Sequence, residues 1–321
     1  MPKGPHDREV TYIIQKEFKQ EPQNIVRMAN GICNEVYLVK INNKEVFVRL
    51  HAEERYLLGS HNHIPIFRSK GIAVPEILAE DYSKHDIPYA YQVLSKIEGR
   101  DIHDVIHTLS DDQLRSIAKE ISNVFKQLKS VPNNGKFGVL WGDDKDLLES
   151  WAADIRRMSD VVMGWGRKTG VLDDELREIL EWLNKEYKSY FESVKPITYF
   201  GDICAKNVMI DEGKFSGLVD LDSLAQGDHL EAIGRIKASW YGTHYGRVYT
   251  EAVMNEQELN AGQRELVTMY ALLNRTYWTM ENGIEFNQNT KAEVDREKDK
   301  ENKAVVRALF VELQESRNLP G

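Results

Sequence analysis

The spacing of apolar residues changes once along this chain, near residue 100, and that change limits the folds open to it. Before it, short apolar runs at residues 36–41 and 46–48 flank the turn-forming residues 42–44, which predicts a β-hairpin. After it, apolar residues between positions 114 and 128 recur at helical intervals, and further helical patterns follow. One segment of strand-like sequence, residues 197–221, interrupts the helices. The pattern predicts a β-rich part followed by a helical part.

The length of 321 residues favours two lobes, because a single core usually stops growing near ~250–300 residues. We predict an α+β, bilobal fold with a small antiparallel β-rich lobe at residues 1–95, a hinge at 96–100 and a larger, mainly helical lobe at 101–321. Ser110 is a candidate N-cap for the first long helix. Gly59 and Pro65 predict an irregular stretch, with only the tail of a helix at residues 66–70 before Gly71.

The charge and cysteine content narrow the class of protein. A formal charge of −9 repels nucleic-acid phosphates and anionic lipid, so we expect neither as a partner, and no obligate protein partner is evident. Cys33 and Cys204 cannot build a multi-bridge disulfide framework, and they have no paired-cysteine metal spacing. With no signal-peptide pattern and no apolar run of membrane length, a cytoplasmic location is expected.

The strand-like segment holds the densest group of candidate functional residues. Asp202 and Asn207 lie five positions apart, and Asp220 follows after a predicted hairpin turn. Phosphoryl transfer needs a carboxylate that accepts the proton of the attacking hydroxyl and oxygen ligands that hold Mg²⁺. Asp202 suits the first task, and Asn207 and Asp220 suit the second. The alternative is that these are ordinary turn residues of a structural hairpin.

Three motifs in and just after this segment resemble those of the aminoglycoside phosphotransferase family, small-molecule relatives of the protein kinases. Hygromycin kinases are the members nearest in pattern. The three motifs read Phe200-Gly201-Asp202 with Asn207, then Val219-Asp220, then Gly227-Asp228. The resemblance covers most of residues 25–235 and implies a kinase-like fold. It implies Asp202 as the catalytic base, Asn207 and Asp220 as Mg²⁺ ligands, and Asp228 as a structural brace.

The same resemblance implies a nucleotide site for ATP or GTP in the N-terminal part. The segment 30–37 is similar to the family's nucleotide-covering hairpin, and a cation on the next strand should hold phosphate oxygens, as arginine can. Backbone groups of the connection between the lobes should read the base. The nucleotide-binding positions implied are Asn30, Gly31, Asn34, Arg49, Lys96 and Ile97.

Several departures from the family pattern keep a second reading open. Phe200 replaces the usual histidine of the loop, and the glutamate expected to pair with Arg49 is hard to place, although Glu53 and Glu54 are near in sequence. The acidic residue expected after Asp228 is displaced to Glu231. A nucleotide-binding pseudokinase that serves as a scaffold is therefore one alternative.

The identity of the acceptor substrate is what the sequence determines least. Family members mostly phosphorylate hydroxyl groups of small polar molecules, so an aminoglycoside-type antibiotic is the first hypothesis, and a metabolite kinase for choline, homoserine or a sugar is the alternative. The negative charge suits a polycation but equally serves solubility. The aromatic residues after Asp228 could cage a quaternary ammonium ion or simply fill a core. The loop with Tyr241, His244 and Tyr245 is the first place to look for substrate contacts.

Overall fold

The N-terminal part is an antiparallel sheet covered by one helix. The computed structural model describes residues 5–28, 34–203, 206–286 and 292–318. The five strands are hydrogen-bonded in the order β1-β2-β3-β5-β4. The elements of this part are α1 (Asp7–Phe18), β1 (Asn24–Met28), β2 (Glu35–Ile41), β3 (Lys44–His51), α2 (Arg55–Ser69), β4 (Ile77–Asp81) and β5 (Ala90–Ser95).

The hairpin of β2 and β3 confirms the prediction made from the two apolar runs. Val36 pairs with Arg49 across the ladder, and Asn42 takes the left-handed conformation that such a tight turn needs, with φ of 53°. Alternate residues of the strands face α1, whose buried Ile13 and Ile14 pack on Tyr37. The sheet and α1 therefore have a small hydrophobic core of their own.

Helix α2 corrects one prediction. It runs without interruption from Arg55 to Ser69, although Gly59 and Pro65 lie inside it. Local propensity is overridden by tertiary packing, since Ile64 and Phe67 are buried in the larger core formed with the C-terminal helices. Helix α2 thus contacts both parts, since the side chain of Gln92 in β5 donates to the Leu57 carbonyl in its first half. The segment after β5 crosses between the parts, and the boundaries at residues 95 and 100 stay a prediction.

The C-terminal part is mainly helical, with two small three-stranded sheets. Its helices are α3 (Ile102–Val105), α4 (Asp111–Leu128), α5 (Trp151–Thr169), α6 (Asp174–Glu186), α7 (Lys188–Ser193), α8 (Leu230–Ser239), α9 (His244–Glu256), α10 (Ala261–Met280) and α11 (Arg296–Asn318). Its strands are β6 (Arg100–Asp101), β7 (Gly138–Leu140), β8 (Ile197–Tyr199), β9 (Val208–Asp211), β10 (Lys214–Leu218) and β11 (Leu224–Gly227).

The helix start at Ser110 is confirmed in detail. The Ser110 hydroxyl accepts from the backbone N–H of Gln113, whose side chain accepts from the Ser110 N–H in return. The predicted loop at residues 241–246 is only partly a loop, because α9 begins at His244 with Thr243 as its N-cap. None of the described helices is both long and apolar enough to cross a membrane.

The strand-like segment of the sequence forms β8, β9 and β10, and it positions two loops beside each other. The first, the Asp202 loop (residues 200–203 and 206–207), lies between β8 and β9. The second, the Asp220 loop (residues 219–223), joins β10 to β11. The backbone N–H of Val219 donates to the carbonyl of Asn207 at 3.0 Å, which ties the two loops together.

Candidate active site

Asp202 and Asn207 form a closed hydrogen-bonded unit in the Asp202 loop. The Asn207 amide nitrogen donates to the Asp202 carboxylate at 2.7 Å and to the Asp202 backbone carbonyl at 2.9 Å. Asn207 is buried, whereas 43% of the Asp202 side chain is exposed. The amide therefore orients a carboxylate whose exposed side borders the space between the two loops and β3, hereafter the cleft.

Arg235 approaches Asp202 from the opposite side, from helix α8. Its guanidinium lies 3.3 Å from Asp202 Oδ1, and its Nε donates to Glu231 Oε1 at 2.8 Å. Tyr199 donates to the other oxygen of Glu231 at 3.3 Å. The sequence reasoning missed Arg235; its spacing of four residues from Glu231 signals a helical ion pair but says nothing about Asp202.

Asp220 lies at the surface of the cleft in a strained backbone conformation. Its φ is 58°, in the left-handed region that most residues avoid, and 56% of its side chain is exposed. Partial burial among the surrounding residues and the negative charge of Asp222 both raise the pKa of Asp220. Because half of the Asp220 side chain is exposed to water, the Asp222 charge is the more important cause. The Asp202 charge contributes in the same direction.

The donors around these loops suit a divalent cation. The Oδ1 atom of Asn207 accepts no hydrogen bond from the described residues, so it is available as a ligand near Asp220. No three His, Cys, Asp or Glu side chains converge on a metal-sized space within the described ranges. Mg²⁺ commonly takes one or two protein oxygens and completes its shell with phosphates and water, so the residues present fit it.

Arg49 enters the site from β3 and is held by Asp222 of the Asp220 loop. It is 5% exposed, and its two terminal nitrogens donate to the two oxygens of Asp222, which is 6% exposed. Arg49 Nη2 is also 3.4 Å from Asp220 Oδ1. Burial alone would raise the pKa of Asp222, but the guanidinium outweighs it and holds that pKa below its ordinary value.

The other positions predicted to bind the nucleotide fall into three groups. Asn34 is buried and donates to Asp222 Oδ2 at 3.0 Å, so it shares the carboxylate that holds Arg49. Lys96 follows β5 and pairs with Glu45 and Glu98 at 2.8 and 2.9 Å, and Ile97 comes directly after it. Asn30 and Gly31 lie outside the described residues.

Asp228 lies away from the cleft, buried among helices. It accepts hydrogen bonds from the hydroxyls of Tyr190 and Tyr270 and from the backbone N–H of Leu230. Trp151 donates in turn to the Tyr270 hydroxyl at 2.7 Å. Burial raises the pKa of Asp228, which these donors partly offset. The contacts tie β11 to α5, α7 and α10, as a structural brace requires.

Two of the three candidate substrate residues, Tyr241 and His244, contact helices other than α8, which carries Arg235. His244 contacts Asp111 of α4 at 2.9 Å and is 63% exposed, and Tyr241 lies beside Glu312 of α11. Tyr245 packs on the large core. His244 lines an open cavity of about 510 Å³ between α4 and α9 that includes none of Asp202, Asn207 or Asp220. In the described structure the reactive groups thus converge elsewhere, in the cleft.

Comparisons with known proteins agree with this geometry. The model of the phosphotransferase enzyme family matches residues 24–266. A search of curated protein sequences found no match. Among solved structures, a thermostable mutant of aminoglycoside phosphotransferase APH(4)-Ia in its apo form superposes with a TM-score of 0.72 at 14% identity, covering 96% of this chain and 100% of that one.

Two ligand-bound structures are also similar. A ternary complex of APH(4)-Ia with AMP-PNP and hygromycin B gives a TM-score of 0.71 at 14% identity, covering 97% of this chain and 100% of that one. The GDP and kanamycin complex of APH(2")-IIia gives 0.68 at 14% identity, covering 97% and 99%. At these identities the likeness shows the fold, which confirms the predicted kinase-like, bilobal α+β architecture.

Proposed function

The chain belongs to the phosphotransferase enzyme family and is a phosphotransferase with an alcohol group as acceptor; from this premise we propose that it transfers the terminal phosphate of ATP or GTP to a small hydroxylated molecule. An aminoglycoside-type antibiotic is the first candidate acceptor. The observation that carries the proposal is the meeting of Asp202, Asn207 and Asp220 on two hydrogen-bonded loops beside a buried arginine from the sheet.

Asp202 is the proposed general base. Its carboxylate accepts the proton of the acceptor hydroxyl as that oxygen attacks the terminal phosphorus. Asn207 and Arg235 hold the carboxylate from two sides, so its direction is set before the acceptor arrives. Asp202 remains close to half exposed, which leaves room for a hydroxyl to reach it.

The nucleotide is proposed to lie between the sheet and the two loops. Asn207 and Asp220 would hold Mg²⁺, which when bound neutralises charge on the phosphates. Arg49 would add a second positive charge there, with Asn34 beside it. Lys96 and Ile97 are the proposed positions at the base, and Asn30 and Gly31 would cover the phosphates. A nucleotide substrate agrees with the cytoplasmic location that the cysteine content predicts.

Two observations support an amino-rich acceptor. Two carboxylates, Asp202 and Glu231, lie beside Arg235, and the part-exposed Asp202 carboxylate can attract a cationic group. Solved structures of the same fold hold hygromycin B or kanamycin together with a nucleotide. Tyr241, His244 and Tyr245 stay a proposal for more distant substrate contacts. Choline, homoserine and sugars remain the alternative acceptors, and a pseudokinase scaffold the alternative outside enzymes.

One assay separates these readings. Release of ADP or GDP is measured with Mg²⁺ and a panel of aminoglycosides, choline and amino-alcohols, and the acceptor is then weighed by mass spectrometry. We expect Mg²⁺-dependent release that one aminoglycoside stimulates, with one phosphate gained by that acceptor. Stimulation by choline or an amino-alcohol alone would favour a metabolite kinase. Nucleotide binding without release, with or without any acceptor, would favour the scaffold.

A further inference from the structure

We propose that Asp222 is a positioning residue for the nucleotide: it holds the Arg49 guanidinium at the phosphate end of the cleft, in place of a glutamate on the helix after β3. The inference rests on the proposed function, since it concerns how Arg49 reaches the nucleotide. Asp222 itself is not placed on the nucleotide, the metal or the acceptor. Its role is to fix the position of another side chain.

The ion pair between Arg49 and Asp222 has the geometry of a strong one. Two nitrogens of the guanidinium face two oxygens of the carboxylate, which is the bidentate arrangement that constrains direction as well as distance. Both side chains are almost fully buried. Because each charge would be left uncompensated without the other, neither can move alone at low cost.

Helix α2 offers no competing partner. Its fifteen residues, Arg55–Ser69, include no aspartate or glutamate. Glu54 precedes the helix and pairs with Lys84 at 2.8 Å, with close to half of its side chain exposed, and Glu53 is exposed. The helix contributes Ser60 instead, which accepts from Arg49 at 2.7 Å and donates to Asp222. A neutral hydroxyl therefore lies where a carboxylate could have been, and Asp222 supplies the charge.

The backbone around Asp222 is fixed by the same helix. A Cβ on Gly59 would lie 1.7 Å from the carbonyl oxygen of Asp222, so the helix and the loop touch at a point that only glycine permits. His63 lies 3.1 Å from the carbonyl of Leu221 through its Nδ1. With the loop fixed on α2, the Asp222 carboxylate has a defined position from which to hold Arg49.

Arg49 comes from the other core. Its neighbours Val48 and Leu50 belong to the small core of the sheet, whereas Leu221 and the α2 residues Ile64 and Phe67 belong to the large core. The ion pair therefore connects the sheet that would cover the nucleotide to the loop that would hold its metal. Asn34 adds a second, neutral connection to the same carboxylate.

A double-mutant cycle tests this role. Mg²⁺-dependent binding of ATP or GTP, whichever the unaltered protein binds, is measured by calorimetry for Asp222→Asn, Arg49→Gln and the double variant. We expect each single variant to bind the nucleotide about tenfold more weakly. In the Arg49→Gln background, Asp222→Asn should have no further effect, because it acts only through Arg49. Adenosine or guanosine, which lacks phosphate, should bind all variants equally.

Matched variants separate positioning from folding. Asp154→Asn disrupts the ion pair of another buried aspartate, with the part-exposed Arg157 at 2.6 Å, and should leave nucleotide binding unchanged. Asp222→Glu should recover part of the affinity. If Asp222→Asn does not fold, Ser60→Ala takes its place in the cycle, with a weakening of about fivefold expected from the loss of its hydrogen bonds to Arg49 and Asp222.

Each outcome decides the proposal. Equal weakening by Asp222→Asn in both backgrounds, unchanged binding, or a parallel loss of nucleoside affinity would each overturn it. Failure of the unaltered protein to bind either nucleotide would overturn the proposed function first and this inference with it. Nucleotide binding that is normal in the unaltered protein and insensitive to Asp222 would overturn the inference alone.

Discussion

The two loops of the cleft are built in opposite ways. In the Asp202 loop the main contact is local, since Asn207 bonds a carboxylate five residues before it. In the Asp220 loop the contacts come from far away in the sequence: Asp222 meets Ser60, Arg49 and Asn34 at separations of 162, 173 and 188 residues. The comparison teaches that the proposed chemistry depends on a short motif, whereas the position of the nucleotide depends on how the two parts of the chain pack.

The largest expected effect is a loss of turnover on substitution of Asp202, in the Asp202 loop. Asp202→Asn removes the proposed base with almost no change in side-chain size, although the new amide keeps only one of the two oxygens that accept from Asn207 and Arg235. Turnover should fall by about 10²–10⁴-fold. Nucleotide affinity should change little, because Arg49, Asp220 and Asn207, the residues proposed to hold the phosphates and Mg²⁺, are all kept. Steady-state release of the nucleoside diphosphate measures the turnover, and calorimetry measures the nucleotide affinity. A variant that keeps its turnover would remove Asp202 as the base.

The next largest effect is expected where helix α2 packs against the Asp220 loop. Gly59→Ala places a methyl group against the Asp222 carbonyl, which must push α2 and the loop apart. We expect a loss of about 3 kcal/mol in the free energy of unfolding and weaker nucleotide binding in the folded fraction. Urea unfolding and calorimetry measure both.

Gly164→Ala is the matched control for this change. Gly164 lies in helix α5 with no atom within 4 Å of an added Cβ, so alanine should be neutral or stabilise by about 0.5–1 kcal/mol. A Gly59→Ala protein as stable as the Gly164→Ala protein would mean that the close approach of α2 to the loop does not exist in solution.

A third variant tests the apolar contact between the Asp202 loop and α2. Phe200 is fully buried and meets Phe67 edge to face, with ring centroids 5.7 Å apart. Phe200→His restores the residue usual in the family pattern but puts a polar ring into an apolar site, which should cost about 2 kcal/mol of unfolding free energy. Phe286→His, at a 40% exposed position, is the control and should cost little. Chemical denaturation decides, and an equally stable Phe200→His protein would contradict the packing argument.

The smallest expected effect concerns the orientation of Asp202. Arg235→Gln removes one of its two supports, so turnover should fall about fivefold, close to 1 kcal/mol, with nucleotide affinity unchanged. Arg177→Gln, at an exposed arginine paired with Asp174, serves as the control and should leave turnover unchanged. A fall in nucleotide affinity instead would mean that Arg235 helps to hold the nucleotide, and would contradict its assignment to the orientation of Asp202.

The same contrast explains what the sequence could predict. The hairpin of β2 and β3, the cap at Ser110 and the motif of Asp202 with Asn207 are local, and they were predictable from spacing. The continuous helix α2 was not, because burial of Ile64 and Phe67 outweighs the local effect of Gly59 and Pro65. That burial depends on residues far away in the sequence, such as Phe200, whose ring meets that of Phe67.

The partners of Arg49 and Asp202 were hidden for the same reason. The family pattern predicts the partner of Arg49 to be a glutamate among the residues after β3. In the structure the negative charge beside Arg49 comes from Asp222. Arg235 could be recognised as part of an ion pair with Glu231 but not as a neighbour of Asp202. The acceptor side, built from helices that meet only in the folded chain, gave the weakest sequence signal.

The most direct test of the account is a crystal structure of the protein with Mg²⁺ and a non-hydrolysable ATP or GTP analogue. We predict that Mg²⁺ lies about 2.0–2.1 Å from oxygens of Asn207 and Asp220, with the terminal phosphate facing Asp202. Arg49 should contact the phosphates and remain paired with Asp222. A nucleotide bound outside the cleft, or a metal held by other residues, would contradict the assignment of the site.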